Sequence, residues 1–381
     1  MPANRLLFIG EETGFTGGIE RYAFQTAAIL RAHDFQVDWC GKHPGRNEAE
    51  FKTGFDAVLT IPEALERAYD LAILHKLPAD LPELEKWRRK FGEKLIFWAH
   101  DHDLYCPRRH YYTPFGRVNC HRPYAPWRCN LCAAMTSPRN WKYRRSDGGA
   151  LLRELRRHRA VVLSNFMRQN LLGNGFSPQL VRVIPPVLEL PPPPPVDAAP
   201  DMAKPLNLLF LGQFIRGKGA DLFLEALGHL TFPWRACLAG DGKDRDKLRR
   251  TVKARHWENL VAFPGWLADP GKAISSCDVA VFPSRWQEPF GLAGAEAAAY
   301  GKPVVAFDVG GVREWLRDGV NGFVVPERDA KALANKLDRL YREPDLRLKM
   351  GASGRTLAQE RFSERQFLDR FKQLLSAGGC E

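Results

Sequence analysis

Two glutamates, Glu288 and Glu296, stand seven residues apart in PSRWQEPFGLAGAEAAAYGKPVVAFDVGGVREW (283–315). An apolar run, DVAVFPS, precedes them, and a helix should begin near Phe290–Gly291. A helix start leaves backbone N–H groups free and carries partial positive charge, so a diphosphate is a natural occupant. Gly291 lets such a group approach with no Cβ in the way. Glu296, one to two turns into the helix, could accept paired hydrogen bonds from ribose hydroxyls, and Glu288 could reach the hydroxyls of a sugar. A glutamate pair at a helix start more often serves capping and solvation, so the surrounding residues must decide.

A second cluster is made of cysteines. Of eight in the chain, Cys106, Cys120, Cys129 and Cys132 fall within CPRRHYYTPFGRVNCHRPYAPWRCNLC. In a chain of this length without a signal-like start, such clustering points to metal before disulfides. The two-residue gap of RCNLC suits two thiolates on one tetrahedral ion, and four would close a structural zinc site. The first pair is too widely spaced for a regular ribbon. An iron–sulfur cluster, unligated thiols or disulfides therefore stay open, as do His102, His110 and His121 as substitute ligands. A metal would supply folding energy to an insertion poor in aliphatic residues.

The elements that must carry these residues follow from periodicity. Short apolar runs (LLFIG, FQVDWC, DAVLTI, DLAILH, KLIFWAH, AVVLS and VRVIPPV) alternate with helical stretches, which implies a largely parallel sheet covered on both faces. Five consecutive prolines in PPPPPVDAAPDMAKP (191–205) can enter neither helix nor central strand and read as a stiff linker. The alternation then restarts with LNLLFLG, a helix over about Lys218–Leu230, WRACLAGDG, LVAFPG, DVAVFPS, PVVAFD and FVVP. The expectation is an α/β protein of two doubly wound, Rossmann-like domains facing across a cleft. Its parts are an N-terminal acceptor domain (1–188), a linker (189–205), a donor domain (206–362) and a C-terminal helix and tail (363–381). Between about 101 and 150 the alternation lapses into an Arg-, Tyr-, Pro- and Cys-rich insertion, too long for a plain loop. The last helix carries a stripe of Phe367, Phe371, Leu374 and Leu375 that could cap either domain.

These segments together resemble a known family. EPFGLAGAEA, then YGKPVVA, GGVREWL and DGVNGFVV, look like the donor signature of retaining glycosyltransferases of family four, in the GT-B fold class. LGQFIRGKGADLFLEAL and LAGDG resemble that family's phosphate-binding strand–loop–helix, and TGGIERY and FWAHDHD its glycine loop and active-site histidine. The resemblance implies that Lys218 neutralises the donor diphosphate, Glu296 holds the ribose and Glu288 contacts the sugar. It implies further that amides at Gly291 and Leu292 bind the distal phosphate, that Gly17 and Gly18 let the N-terminal loop close over it, and that His100 touches the sugar near the reacting carbon. Gln213 stands where the family usually has Arg, and Arg216 could supply that charge. No catalytic metal is implied. Asp101-His102-Asp103 spells the Asp-x-Asp of metal-dependent transferases of another fold, a short match that chance often produces.

The net charge of +12 on 381 residues is local. From Leu104 to Arg168 there are 14 Lys/Arg against two acids, Asp147 and Glu154, and the remaining 42 bases and 42 acids cancel. Arg108, Arg109, Arg117, Arg122 and Arg128 surround the cysteines, and Arg153, Arg156 and Arg157 line one side of a helix whose other side is Leu151, Leu152 and Leu155. Such a patch suits an anionic, lipid-linked glycan acceptor and peripheral contact with a membrane. Tyr111, Tyr112, Tyr124 and Trp127 could stack bases, but no nucleic-acid motif accompanies them. The expected activity is transfer of a sugar from a UDP- or GDP-sugar in surface polysaccharide synthesis, in the cytoplasm at the inner face of the membrane. The alternative is a nucleotide-sugar-binding subunit without turnover, which Gln213 keeps open.

Overall fold

A computed structural model describes residues 5–78, 80–108, 111–113, 115, 118–135, 148–192, 204–267 and 269–376. Arg109, His110 and Arg117 lie outside them. The chain divides into two compact units, residues 1–187 with 364–381, and residues 188–363.

The first unit is built on seven strands: β1 (Arg5–Ile9), β2 (Gln36–Cys40), β3 (Ala57–Leu59), β4 (Leu71–Leu74), β5 (Leu95–Ala99), β6 (Arg159–Val162) and β7 (Val181–Val183). Their spatial order is β3-β2-β1-β4-β5-β6-β7, with every pairing parallel. The second unit has six: β8 (Leu206–Leu211), β9 (Trp234–Ala239), β10 (Val261–Gly265), β11 (Val279–Phe282), β12 (Val304–Phe307) and β13 (Gly322–Val325). Their order, β10-β9-β8-β11-β12-β13, is also wholly parallel. Each sheet reverses strand order beside its first strand, the doubly wound arrangement, and ligands bind such sheets outside the carboxyl ends of the strands there. The runs are continuously apolar because both faces are covered: all of β4, β5, β11 and β12 is buried.

Five helices matter to the sites. These are α1 (Gly18–Arg31), α2 (Pro126–Ala134), α3 (Gly148–Leu155), α4 (Ala220–Leu227) and α5 (Leu292–Ala299). The helix expected from Lys218 starts two residues later, because Arg216–Lys218 forms a 3₁₀ turn and Gly219 takes a left-handed φ of 77°. The C-terminal helix α6 (Glu364–Ser376) belongs to the first unit. Its stripe packs there, Phe371 lying edge-on to Phe35 and stacked with Trp98, while Leu375 is only half-buried. Among the described residues no helix is long and apolar enough to cross a membrane.

Candidate functional site

In the second unit the site is assembled at the carboxyl ends of β8, β11 and β12. After β11 the chain turns through Pro283–Gly291 and enters α5 at Leu292. Gly291 caps that helix in a left-handed conformation, φ 91°. A Cβ there would stand 3.3 Å from the Phe282 ring and 3.4 Å from Trp315 Nε1. Trp315 is itself tied in, donating from Nε1 to the Phe290 carbonyl at 2.7 Å. The helix begins with Leu292 half-buried and turns an almost continuous small-residue face, Gly294 to Ala299, into the core. Glu296, half-buried, is the exception on that helix, four residues after its start.

Glu288 is buried, and its environment fixes its direction. Lys218 Nζ donates to both carboxylate oxygens, at 2.8 and 3.0 Å, and the Ser284 hydroxyl donates to Oε1 at 2.6 Å. Lone pairs remain on Oε2 for an incoming hydroxyl, and the Lys218 ammonium keeps a third proton for an anion. The Lys218 ammonium also lies 5.4 Å from the centre of the Trp286 ring.

Two further contacts hold the loops that carry the pair. Arg285 forms a two-pronged ion pair with Asp221 on α4, at 2.6 and 3.0 Å, and donates to the Arg216 carbonyl at 2.7 Å. Burial alone would raise the Asp221 carboxyl, but hydrogen bonds and charge from Arg285 outweigh it and hold it below its ordinary value. The Lys218 turn and the Pro283 turn meet backbone to backbone, so a Cβ on Gly219 would fall 1.8 Å from the Pro283 oxygen. A third loop, after β12, joins through Gly310 N–H to Gln287 Oε1 at 3.1 Å and Gly311 N–H to the Glu288 carbonyl at 2.7 Å. Arg216 and Gln213 are both exposed on the loop after β8.

The second unit thus brings Lys218 and Glu288 into contact, with Gly291 and Leu292 at the start of α5 three residues after Glu288 and Glu296 one turn into that helix; Arg216 is exposed on the turn that carries Lys218. Ser284, Arg285, Asp221, Gln287 and Trp286 escape sequence reasoning. They sit inside or beside the motif segments, but no spacing distinguishes a serine that orients Glu288 from one that faces water.

The first unit places its residues at the carboxyl ends of β1, β4 and β5. His100 follows β5, and its Nε2 lies 2.9 Å from Nδ1 of buried His75, which follows β4. The two rings stack at 5.2 Å, and the Tyr22 ring of α1 meets His100 edge-on at 4.9 Å. Burial, then the neighbouring Lys76 charge, pulls His100 down to about 3, so it is a neutral imidazole near pH 7. Burial likewise holds His75 well below the ordinary histidine value. With Nε2 taken by His75, only Nδ1 of His100 is left to meet a ligand. Asp101 and Asp103 both pair with Lys76, at 3.2 and 2.9 Å, and the Asp103 N–H also donates to Asp101. The Asp-x-Asp carboxylates are thereby engaged in an ion-pair network. Gly17 caps α1, its N–H donating to Glu20 Oε2 at 2.9 Å, and a Cβ on Gly18 would meet nothing.

In the insertion, Cys106, Cys120, Cys129 and Cys132 are all free thiols. A bridge between Tyr112 and Asn119 sets Cys120 beside Tyr111, to whose carbonyl its N–H donates at 2.8 Å, and α2 carries Cys129 and Cys132 three residues apart. Burial pushes the Cys106 thiol up to about 11, against N–H groups of Arg108 and Tyr111 that stabilise its thiolate, and Cys120 and Cys132 are near enough to add to the rise. The Ala125 N–H donates to Cys129 Sγ at 3.4 Å. Among the described residues, however, no three His, Cys, Asp or Glu side chains stand in an arrangement that could hold a metal ion. His102 is buried, with Nδ1 2.6 Å from the Tyr105 hydroxyl.

Residues 200–357 match the family model of glycosyl transferases group 1. Alpha-D-kanosaminyltransferase of Streptomyces kanamyceticus is 32% identical over 161 residues, 41% of this chain and 42% of that protein. The lipopolysaccharide core biosynthesis glycosyltransferase LpsE of Rhizobium meliloti is 30% identical over 172 residues, 45% and 49% of the two. The chain thus spans less than half the length of these curated relatives. Across whole chains, Anabaena Alr3699/HepE, solved with UDP and glucose, superposes with a TM-score of 0.72 at 18% identity, covering 98% of this chain and all of that one. A glycosyltransferase from Rickettsia africae gives 0.74 at 17% identity, covering 99% of each. The stretch 200–357 of the second unit thus resembles the glycosyl transferases group 1 family, and the chain as a whole shares the GT-B fold of these solved structures.

Proposed function

We propose that the chain transfers a sugar, with retention of configuration, from a UDP- or GDP-sugar to a glycan or lipid-linked acceptor in surface polysaccharide synthesis. The observation that carries this reading is the Lys218–Glu288–Ser284 lock beside the glycine-opened start of α5. The α5 amides and the third proton of Lys218 take the donor diphosphate, Glu296 takes the ribose, and the spare Oε2 lone pairs of Glu288 take sugar hydroxyls. As the bond from the anomeric carbon to the diphosphate oxygen breaks, negative charge grows where fixed cations and helix dipole already point. The acceptor oxygen bonds to the same face of that carbon and its proton passes to the departing phosphate oxygen, so no catalytic metal is required. Neutral His100 contributes a hydrogen bond through Nδ1 rather than a charge.

Three further parts belong to the same proposal. The site works in the cytoplasm, the basic insertion meets the inner face of a membrane, and a structural zinc binds the four cysteines. For zinc, the thiols must draw inward from the positions described, and their confinement to one small fold supports that step.

The test combines ligand-induced melting shifts with turnover. UDP, GDP, ADP and CMP are screened against wild type and Glu296→Ala, and a ligand at 100 times its Kd adds about 2.7 kcal/mol. A shift with one nucleotide that the variant loses names the donor class. A shift with no donor consumption on any acceptor would assign the chain to the binding-subunit reading, which exposed Gln213 favours.

A further inference from the structure

Helix α2 buries little: Ala133 is its one buried residue, Cys129 and Cys132 are half-buried, and Trp127 is 75% and Leu131 57% exposed. Met135, which caps the helix, continues this exposed stripe at the same four-residue spacing. Positions four apart drift by only about 40° around a helix, so the three share one narrow face. At the neighbouring loop Phe115 is 70% exposed and Val118 is also open. Five of the nine exposed large apolar residues among the described residues therefore fall between positions 115 and 135.

Water alone gives no reason for this arrangement, since the same helix could have turned Trp127 and Leu131 inward. The charge around it selects the occupant. From Leu104 to Ser146 the sequence holds nine Lys/Arg and no Asp or Glu, and Arg122 is exposed one turn ahead of the stripe. A protein partner of ordinary composition would answer the apolar stripe but not so one-sided a charge. Nucleic acid would answer the charge but not a Leu and a Met. An anionic bilayer answers both, with phosphates for the arginines and the upper acyl region for the stripe.

We propose that the exposed face of α2, Trp127, Leu131 and Met135, is a docking surface for the headgroup region of an anionic lipid bilayer, with Arg122 and Arg128 pairing to lipid phosphates. This deepens the membrane contact proposed above and rests on that reading. It is tested without donor or acceptor, so the two can fail separately. Co-sedimentation of the full chain is measured with vesicles of phosphatidylcholine alone and of phosphatidylcholine with phosphatidylglycerol in equal parts. Wild type should bind the mixed vesicles, and W127S/L131S should bind them about 100-fold more weakly. R122E/R128E should lose the preference for phosphatidylglycerol. Circular dichroism and urea unfolding followed by a probe in the first unit check that the fold of each variant survives, and the nucleotide-induced melting shift, which reads the second unit, reports the transferase reading independently. Several outcomes overturn the proposal: equal binding to both vesicle types, W127S/L131S binding like wild type, displacement from vesicles by a single-stranded oligonucleotide, or a self-association in solution that W127S/L131S dissolves while vesicles stay unbound.

Discussion

Removing Lys218 and removing the Glu288 charge should have opposite signatures, although the two side chains share one ion pair. Glu288 has 7% of its side chain exposed and Lys218 has 23%. Lys218→Ala strands a buried carboxylate with the Ser284 hydroxyl as its remaining donor among the described residues. Breaking a buried pair in this way costs about 3–5 kcal/mol, and the partial exposure of Lys218 puts the expectation near the lower end. Glu288→Gln keeps the shape and leaves an ammonium that water can reach, at a cost of about 1 kcal/mol. Function should divide the other way. Lys218→Ala weakens UDP or GDP binding by about 10–100-fold through the lost phosphate contact. Glu288→Gln leaves nucleotide affinity within a small factor but lowers turnover by about 100–1,000-fold, because a donor-sugar contact made in the transition state is lost. The assay is urea unfolding followed by a probe confined to the second unit, since a two-unit chain need not melt in one step. Nucleotide titration and turnover complete it. If Glu288→Gln destabilises more than Lys218→Ala, or if both lose nucleotide affinity equally, the asymmetry argued from burial is wrong.

The glycine turns should be equally unequal. Gly219→Ala meets both a left-handed φ, which costs about 1–2 kcal/mol, and the Pro283 carbonyl, so it should unfold or displace the Lys218 turn, whereas Gly291→Ala should show little beyond the φ cost in its urea midpoint. Acid should destabilise the first unit. His75, His100 and His158 are all held below the ordinary histidine value by burial, so the unfolded chain binds more protons than the folded one. Their stability is complete above the unfolded value of about 6.5 and is lost as pH falls toward the folded values, at up to about 1.4 kcal/mol per pH unit for each ring. A melting point that stays flat as pH falls from neutral into the mildly acidic range refutes this. For the cysteines, metal analysis of the purified chain should find one zinc per molecule, and Cys129→Ser with Cys132→Ser should abolish it. A metal-free chain with four titratable thiols and an unchanged melting point would end the zinc proposal.

Much of the scaffold was legible because its signals are local. Each of the thirteen strands of the two large sheets lies in an apolar run readable from the sequence, since a strand covered on both faces is largely apolar; the two-residue strands of a small third sheet, Glu12–Thr13 and His43–Pro44, carry no such signal. The start of α5 was legible within about two residues from Gly291, whose left-handed φ no other residue adopts as easily. Tertiary structure decided what periodicity cannot carry. Lys218 and Glu288 are 70 residues apart, and Arg285 and Asp221 64 apart; only the adjacency of β8 and β11 brings their loops together. His75 gave no signal of its own, because its pairing with His100 depends on β4 lying beside β5. The stripe on the last helix announced that something covers it, but hydrophobic burial is non-directional, so the cover, the first unit, emerged from the packing of Phe371 on Trp98. The same reason hid the outward face of α2: composition counts Trp127 and Leu131 as apolar, and only the fold turns them to the outside.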